Sequence, residues 1–229
     1  MRLHRFYVAP QTIQLKHDFW LHDLQLVHQW RKVLRYQVGQ EVVLFDGIES
    51  ERLYRISELS DIEAHLELVT DMTRKLPKRT VYLAWSLLKK DKNDWVLQKA
   101  TELGVTHFIP LLADRSEKTG FNEDRAQKII IEAAEQCGRS DIPTVREPMR
   151  PATLLEHMGD KIPFMVCEQG GTPASECLPD TFGLLVGPEG GWSDTEKQLF
   201  NARSTPHFGL GEFTLRAETA AVIAASKSQ

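Results

Sequence analysis

Residues 182–196 read Phe-Gly-Leu-Leu-Val-Gly-Pro-Glu-Gly-Gly-Trp-Ser-Asp-Thr-Glu, and few folds accommodate that order. The apolar run from Phe182 to Val186 has the length of a buried strand, and Gly187-Pro188-Glu189-Gly190-Gly191 ends it abruptly. Ser193 and Glu196 then stand at capping-box spacing, which predicts that a helix begins there. Strand, glycine turn and helix start is the way α/β proteins offer main-chain groups to a ligand at their strand ends. Glycine removes the Cβ that would hold a ligand away from the backbone. The same turn also serves as a plain strand-to-helix connection, and alone it names no ligand. Neither Gly-x-x-x-x-Gly-Lys-Ser/Thr nor Gly-x-Gly-x-x-Gly after a strand occurs, which argues against a nucleoside triphosphate or nicotinamide cofactor in the usual cradle.

The chain divides in two upstream of that segment. The first 70 or so residues are β-rich: Glu41–Phe45 ends in an Asp46-Gly47 turn, Arg52–Ser57 alternates polar and apolar, and Ile62, Ala64, Leu66 and Leu68 alternate again. Short strands at close spacing suggest a small barrel. One helix is predicted over 21–36, with Leu24, Val27, Trp30 or Arg31, and Leu34 roughly on one face. Asp71–Arg79, with Pro77 and four basic residues, reads as a linker. Beyond it strands and helices alternate: a strand over 80–86, a helix over 94–103 closed by Gly104, and a strand over 105–112. A helix over 122–137 capped by Asn122, a short helix from Pro151, and strands over 164–167, 182–186 and 207–210 follow, before a last helix from about Ala217. Such alternation predicts a mostly parallel sheet covered on both faces.

Composition sets outer limits. A chain of 229 residues with 41% hydrophobic and 26% charged side chains supports one large or two modest globular domains. Cys137, Cys167 and Cys177 are too few and too scattered for a disulfide framework, and none has a histidine at zinc spacing. No metal site is expected, and a reduced, cytoplasmic compartment is. The first residues are followed by no apolar stretch, so neither a signal peptide nor a membrane span is expected. The net charge of −4 does not announce a nucleic-acid partner, but residues 74–92 carry seven basic side chains against Asp91 alone. Such a run is a solvated face or an RNA contact.

A second glycine segment completes the picture: Leu210-Gly211-Glu212-Phe213-Thr214-Leu215-Arg216-Ala217-Glu218-Thr219-Ala220. With the Leu-Leu-Val-Gly-Pro-Glu-Gly-Gly stretch, it resembles the ribosomal RNA small-subunit methyltransferase E family, which belongs to the knotted SPOUT methyltransferases. The resemblance covers nearly the whole chain. It takes in Arg2-Leu3 with Arg5-Phe6, then Val33-Leu34-Arg35, Leu44–Gly47, Gln98–Val105, Arg115-Ser116 and Glu135–Arg139. Ala217 stands where the family commonly has threonine, and Gln29, beside His28, where it has histidine.

The resemblance implies an α/β protein with a small PUA-like β-barrel over residues 1–72 for RNA recognition, and a SPOUT domain over 73–229 with a trefoil knot. It implies methylation of N3 of a specific uridine in 16S ribosomal RNA of the small ribosomal subunit, with S-adenosylmethionine as cofactor, by a homodimer. Leu185, Gly187, Glu189, Gly190, Leu210, Gly211, Leu215 and Arg216 are the implied cofactor residues. Uridine N3 carries a proton at neutral pH, and a cation that stabilises the developing anion lowers the barrier; Arg216 is the candidate. The alternative for Arg216 is a structural ion pair with Glu189 or Glu218. Arg2, Arg5, Lys32, Arg35, Lys89 and Lys90 form the phosphate-contact set, and Gln136 and Arg139 join the substrate side, although a cation at a helix end also suits the dipole. Trp30, Trp95 and Cys137 are expected to be core. Two other readings remain open: a methyltransferase for another ribosomal or transfer RNA nucleotide, and a non-catalytic ribosome-assembly protein. A small-molecule α/β enzyme needs a nucleophile or metal site, and no such pattern is present.

Overall fold

The computed structural model describes residues 3–89, 91–116, 120–173 and 178–228, so Arg2, Lys90 and Cys177 lie outside the described residues. Met1–Leu76 with Ala134–Ile142 forms one compact unit, and Pro77–Ala133 with Pro143–Gln229 forms the other.

The first unit holds strands β1 (Arg5–Tyr7), β2 (Asp18–Leu21), β3 (Glu41–Phe45), β4 (Glu51–Leu59) and β5 (Ala64–Asp71), with a short helix α1 (Leu24–His28). They make one sheet in the order β1-β3-β4-β5-β2, parallel between β1 and β3 and antiparallel elsewhere. Alternation works as a half-buried strand requires: Tyr54 and Ile56 are buried while Arg55 between them is exposed. Phe6, Val27, Trp30, Val42, Leu44 and Leu66 complete this core. The turn after β3 is closed by Asp46, whose Oδ1 accepts from the backbone N–H of Ile48, Glu49 and Ser50 at 2.8–2.9 Å. Burial pushes the Asp46 carboxyl up, but these donors outweigh it and hold the group below the usual carboxylate range.

The helix predicted over 21–36 is shorter and of two kinds. Leu21 ends β2, and Asp23 caps α1 by accepting from the N–H groups of Gln25 and Leu26, each at 3.0 Å. From Gln29 to Val33 the backbone widens to a π turn, and Arg35 beyond it has φ 57°. A π turn takes in an extra residue, so a 3.6-residue pattern does not run through it. Val27 and Trp30 are buried, but Leu24 is 62% exposed.

The second unit is built on strands β6 (Thr80–Ser86), β7 (His107–Leu111), β8 (Thr144–Val145), β9 (Phe164–Pro173), β10 (Thr181–Val186) and β11 (His207–Gly209). Its helices are α2 (Asp91–Glu102), α3 (Glu123–Cys137, whose residues from Ala134 count with the first unit), α4 (Pro151–Met158), α5 (Asp194–Ala202) and α6 (Ala217–Lys227). All six strands run parallel in the order β11-β9-β10-β6-β7-β8. Central β10 buries Phe182, Leu184, Leu185 and Val186, which is why its sequence is continuously apolar rather than alternating. Helix α6 packs on α2 and on strands β6 and β10, and α4 packs on α5.

The predicted caps are in place. Asn122 accepts from the N–H of Arg125 at 2.9 Å, and Ser193 and Glu196 form a reciprocal capping box at the start of α5. Replacing Ser193 by alanine is expected to lower the stability of the second unit by about 0.5–2 kcal/mol in urea unfolding, the usual cost of a lost N-cap. Helix α2 begins at Asp91, three residues ahead of its predicted start at Asp94. Two expected core residues face solvent. Trp95 is 40% exposed because Val96, Leu97 and Ala100 make the buried face of α2. Cys137 is exposed as the last residue of α3, where its thiol meets the Ala134 carbonyl at 3.7 Å. Among the described residues no helix is long and apolar enough to cross a membrane.

Candidate functional site

The two glycine segments, separated in the chain by α5 and β11, form walls of one cleft of about 240 Å³ in the second unit. One wall is the end of β10 and its turn, Val186–Glu189 with Gly191 and Trp192. The other is Leu210 and Phe213–Leu215, continued by Ala217 and Ala220 of α6; Cys167–Gln169 of β9 line it as well. The position follows the rule for parallel sheets, in which ligands meet the turns at the carboxyl ends of the strands.

Local packing sets each wall. A Cβ on Gly187 would stand 2.9 Å from Cε2 of Trp192, so the main chain and the indole are in contact that only glycine permits. The indole is itself held edge-on against Phe200, ring centroids 5.0 Å apart at 81°. Arg115 donates to the Gly190 carbonyl at 3.1 Å, and Ser193 Oγ donates to Asp114 at 2.6 Å, fixing the rest of the turn. The second segment is laced to β9: Leu210 N–H donates to Glu168 O and Gly170 N–H to Gly211 O, both at 3.0 Å. The Gln169 side chain spans it, donating to Glu212 O and accepting from Thr214 Oγ1, each at 2.6 Å. Gly211, at φ 140°, takes a conformation that side-chain-bearing residues rarely adopt.

Beside the cleft sits a group of four charges. The Lys92 ammonium is hydrogen-bonded to Glu189 of the first turn, and lies 3.2 Å from Glu218 Oε2 in the first turn of α6. Glu189 holds the Lys92 ammonium above its ordinary range, with Glu218 adding to the effect. Lys92 in turn holds the Glu189 carboxyl low, helped by the charges of Lys89 and Arg216. Arg216 occupies the N-cap position of α6, is exposed, and makes no side-chain hydrogen bond or ion pair among the described residues. The alternative in which Arg216 pairs with Glu189 or Glu218 is therefore corrected: Lys92 takes both carboxylates.

Of the residues singled out for the cofactor, Gly187, Glu189, Leu210 and Leu215 line the cleft. Leu185 is fully buried within β10, while Gly190, Gly211 and Arg216 flank the cleft, exposed. Gln169, Trp192 and Phe213 line it without having been picked out; their signal was position at a parallel strand end or next to a glycine turn. Cys167 lies in the wall, and burial pushes its thiol well up.

The RNA set is divided between the units. Lys89 belongs to the second and is exposed; Arg5, Lys32, Arg35, Gln136 and Arg139 belong to the first. Lys32, Arg35 and Gln136 are exposed there. Arg5 is ion-paired with buried Glu51 and lies over the Phe45 ring, and buried Arg139 makes a two-pronged pair with Asp141 at 2.9 and 2.6 Å. In the same unit Asp18, His65 and Glu67 gather three potential metal-ligand atoms within 4.8 Å. Both ring nitrogens of His65 are engaged, by Ser57 at 2.6 Å and Asp18 at 2.8 Å, in a hydrogen-bonded chain that runs Asp18–His65–Ser57.

Two families match the chain. Residues 74–229 match a family described as the RNA methyltransferase domain, and residues 31–69 one described as the RNA methyltransferase PUA domain. The ribosomal RNA small subunit methyltransferase E of Bacillus subtilis is 32% identical over 219 residues, covering 87% of this chain and 85% of the relative. That of Rickettsia conorii is 30% identical over 207 residues, 86% of this chain and 84% of the relative. Among solved structures, the Neisseria gonorrhoeae ribosomal RNA small subunit methyltransferase E bound to S-adenosylmethionine superposes with a TM-score of 0.88 at 27% identity, covering 100% of this chain and 97% of the other. A Legionella pneumophila methyltransferase in complex with the same cofactor gives 0.86 at 27% identity, over 99% and 96%.

Proposed function

The chain belongs to the ribosomal RNA small subunit methyltransferase E family, and on that premise we propose that it transfers a methyl group from S-adenosylmethionine to N3 of one uridine in 16S ribosomal RNA. The observation that carries the reading is the union of the two glycine segments in one cleft at the ends of a parallel sheet.

The cleft suits S-adenosylmethionine. Main-chain groups of Gly187, Leu210 and Leu215 are available to an adenosine edge, and Trp192, Leu210 and Phe213 offer apolar surface to its ring. Bound there, the cofactor supplies a methyl group on a cationic sulfur, open to displacement by a nitrogen. The residues of the chain do the rest: the cleft walls orient the reacting groups, which supplies much of the rate in a bimolecular displacement. Arg216, at the start of α6, stabilises the charge that develops on the uridine as N3 gives up its proton to solvent water.

The first 72 residues act in RNA recognition, and residues 73–229 carry cofactor binding, dimerisation and a trefoil knot. The path of α6 supports the knot: it follows edge strand β11, yet packs against central strands β6 and β10. Exposed Lys32, Arg35, Lys89 and Gln136 are the phosphate and substrate contacts, while Arg5 and Arg139, paired internally, shape the first unit. The protein works as a cytoplasmic homodimer on the small ribosomal subunit.

The test is methyl transfer from labelled S-adenosylmethionine to small subunits prepared from a strain lacking this protein. Label mapping to N3 of one 16S uridine is the expected result; cofactor binding with no label on any ribosomal RNA would redirect the search to another RNA. Gly187→Ala is expected to weaken cofactor binding about tenfold or more in calorimetry, because its Cβ meets an indole that Phe200 prevents from retreating.

A further inference from the structure

The four charges beside the cleft contain a puzzle. The charge of Arg216 reaches Glu189, Glu218 lies two residues along the chain in the first turn of α6, and arginine is the cation best shaped to grip a carboxylate with two parallel hydrogen bonds. Even so, the arginine is unpaired among the described residues and the lysine holds both acids. Lys92 is placed for this by its element. It is the second residue of α2, the helix that packs on α6, so its ammonium reaches the first turn of α6 and the glycine turn together. Glu218 stands in the first turn of α6, and its side chain is only 14% exposed.

We propose that Lys92 is a positioning residue for methyl transfer: by holding Glu189 and Glu218 it leaves Arg216 unpaired and open to the RNA substrate. The inference rests on the methyl-transfer reading above and on the part given there to Arg216. Without Lys92 the two carboxylates lose the ammonium that contacts them both, and Arg216 and Lys89 are the cations whose charge still reaches Glu189. Arg216 would then turn inward, and an ion pair would form where a free guanidinium is needed. Chemistry would suffer more than cofactor binding, since of the group only Glu189 lines the cleft and its main chain is held by the glycine turn.

The experiment is steady-state methyl transfer to small subunits with the full-length protein, together with calorimetric cofactor binding. Lys92→Met is expected to lower kcat about tenfold or more while the Kd for S-adenosylmethionine moves by about threefold or less, and Lys92→Arg to remain near wild type. Adding Glu189→Gln and Glu218→Gln to Lys92→Met should recover most of the lost rate, because the competing carboxylates are then neutral. In an Arg216→Ala background, Lys92→Met should have no further effect, as expected of two residues acting through one contact. Unchanged turnover in Lys92→Met overturns the proposal and leaves the methyl-transfer reading standing. So does a loss of cofactor affinity that matches the loss of rate and is not recovered by the glutamine substitutions, which would make Lys92 a clamp on the cleft walls. A wild-type protein that methylates no RNA overturns both.

Discussion

Arg216→Ala is expected to lower kcat for methyl transfer by about 100-fold or more, the usual cost of removing a group that stabilises charge only in the transition state. Its position supports an effect of that kind: the residue stands at the start of a helix, is exposed, and makes no ion pair among the described residues that would give it a structural duty. The backbone of residue 216 carries the N-cap, and its side chain makes no cap hydrogen bond, so alanine leaves α6 intact. Cofactor affinity should therefore change far less than turnover, and Arg216→Lys should keep part of the rate by keeping the charge. Rapid-quench methyl transfer set beside equilibrium cofactor binding separates the two quantities. Equal losses in both would mean that Arg216 holds cofactor and not the uridine anion.

Glu51→Ala should be the most damaging single substitution in the first unit. The Glu51 side chain is 1% exposed, receives hydrogen bonds from Arg5 and from Ser140 Oγ, and its backbone carbonyl accepts from Met72 at 2.8 Å. Ser140 Oγ accepts in turn from the N–H of Lys75 at 2.7 Å, so one carboxylate joins β1, β4, the segment after β5 and the loop after α3. Removing it leaves the Arg5 guanidinium, 15% exposed, without its counter-charge, and a buried pair broken on one side costs about 3–5 kcal/mol. Thermal unfolding of Glu51→Ala followed by near-ultraviolet circular dichroism should show the first unit melting well before the second. The double substitution Arg5→Met with Glu51→Leu should be much milder, since it removes both charges and fills the space. If the single variant melts like wild type, the network contributes nothing.

What was legible in the chain was local. Strands β3, β6 and β10 lie where apolar runs and turn residues put them, and the capping box at Ser193 announced α5 from two side chains three positions apart. Strands β1 and β2 escaped notice because each is a sheet edge of three or four residues, too short for a period to register. The π turn at Gln29–Val33 left no mark, since its residues suit an α-helix equally well. In the site, the glycine segments were readable because a missing side chain is written in the sequence. The Lys92 contact was not: its partner Glu189 is 97 residues away, and a lysine within a basic run reads as solvated surface. Trp192 shows the same limit, as nothing in its neighbours says that its ring lies against Gly187.

Protein synthesis gives the strand order a meaning in time. Strand β6 leaves the ribosome early and acquires β7 on one edge soon afterwards, but its other edge pairs with β10, where Thr80 meets Thr181 and Ser86 bonds the carbonyl of Val186, 100 residues later. At a synthesis rate of about 5–20 residues per second, that edge stays open for roughly 5–20 s. The first unit waits too, because Ser140 arrives 89 residues after its partner Glu51. A nascent chain of this kind carries two unfinished units at once, and a ribosome that stalls before residue 186 holds an apolar strand with one edge unpaired. Expression yield should therefore respond more sharply to slow codons between β7 and β10 than to slow codons elsewhere.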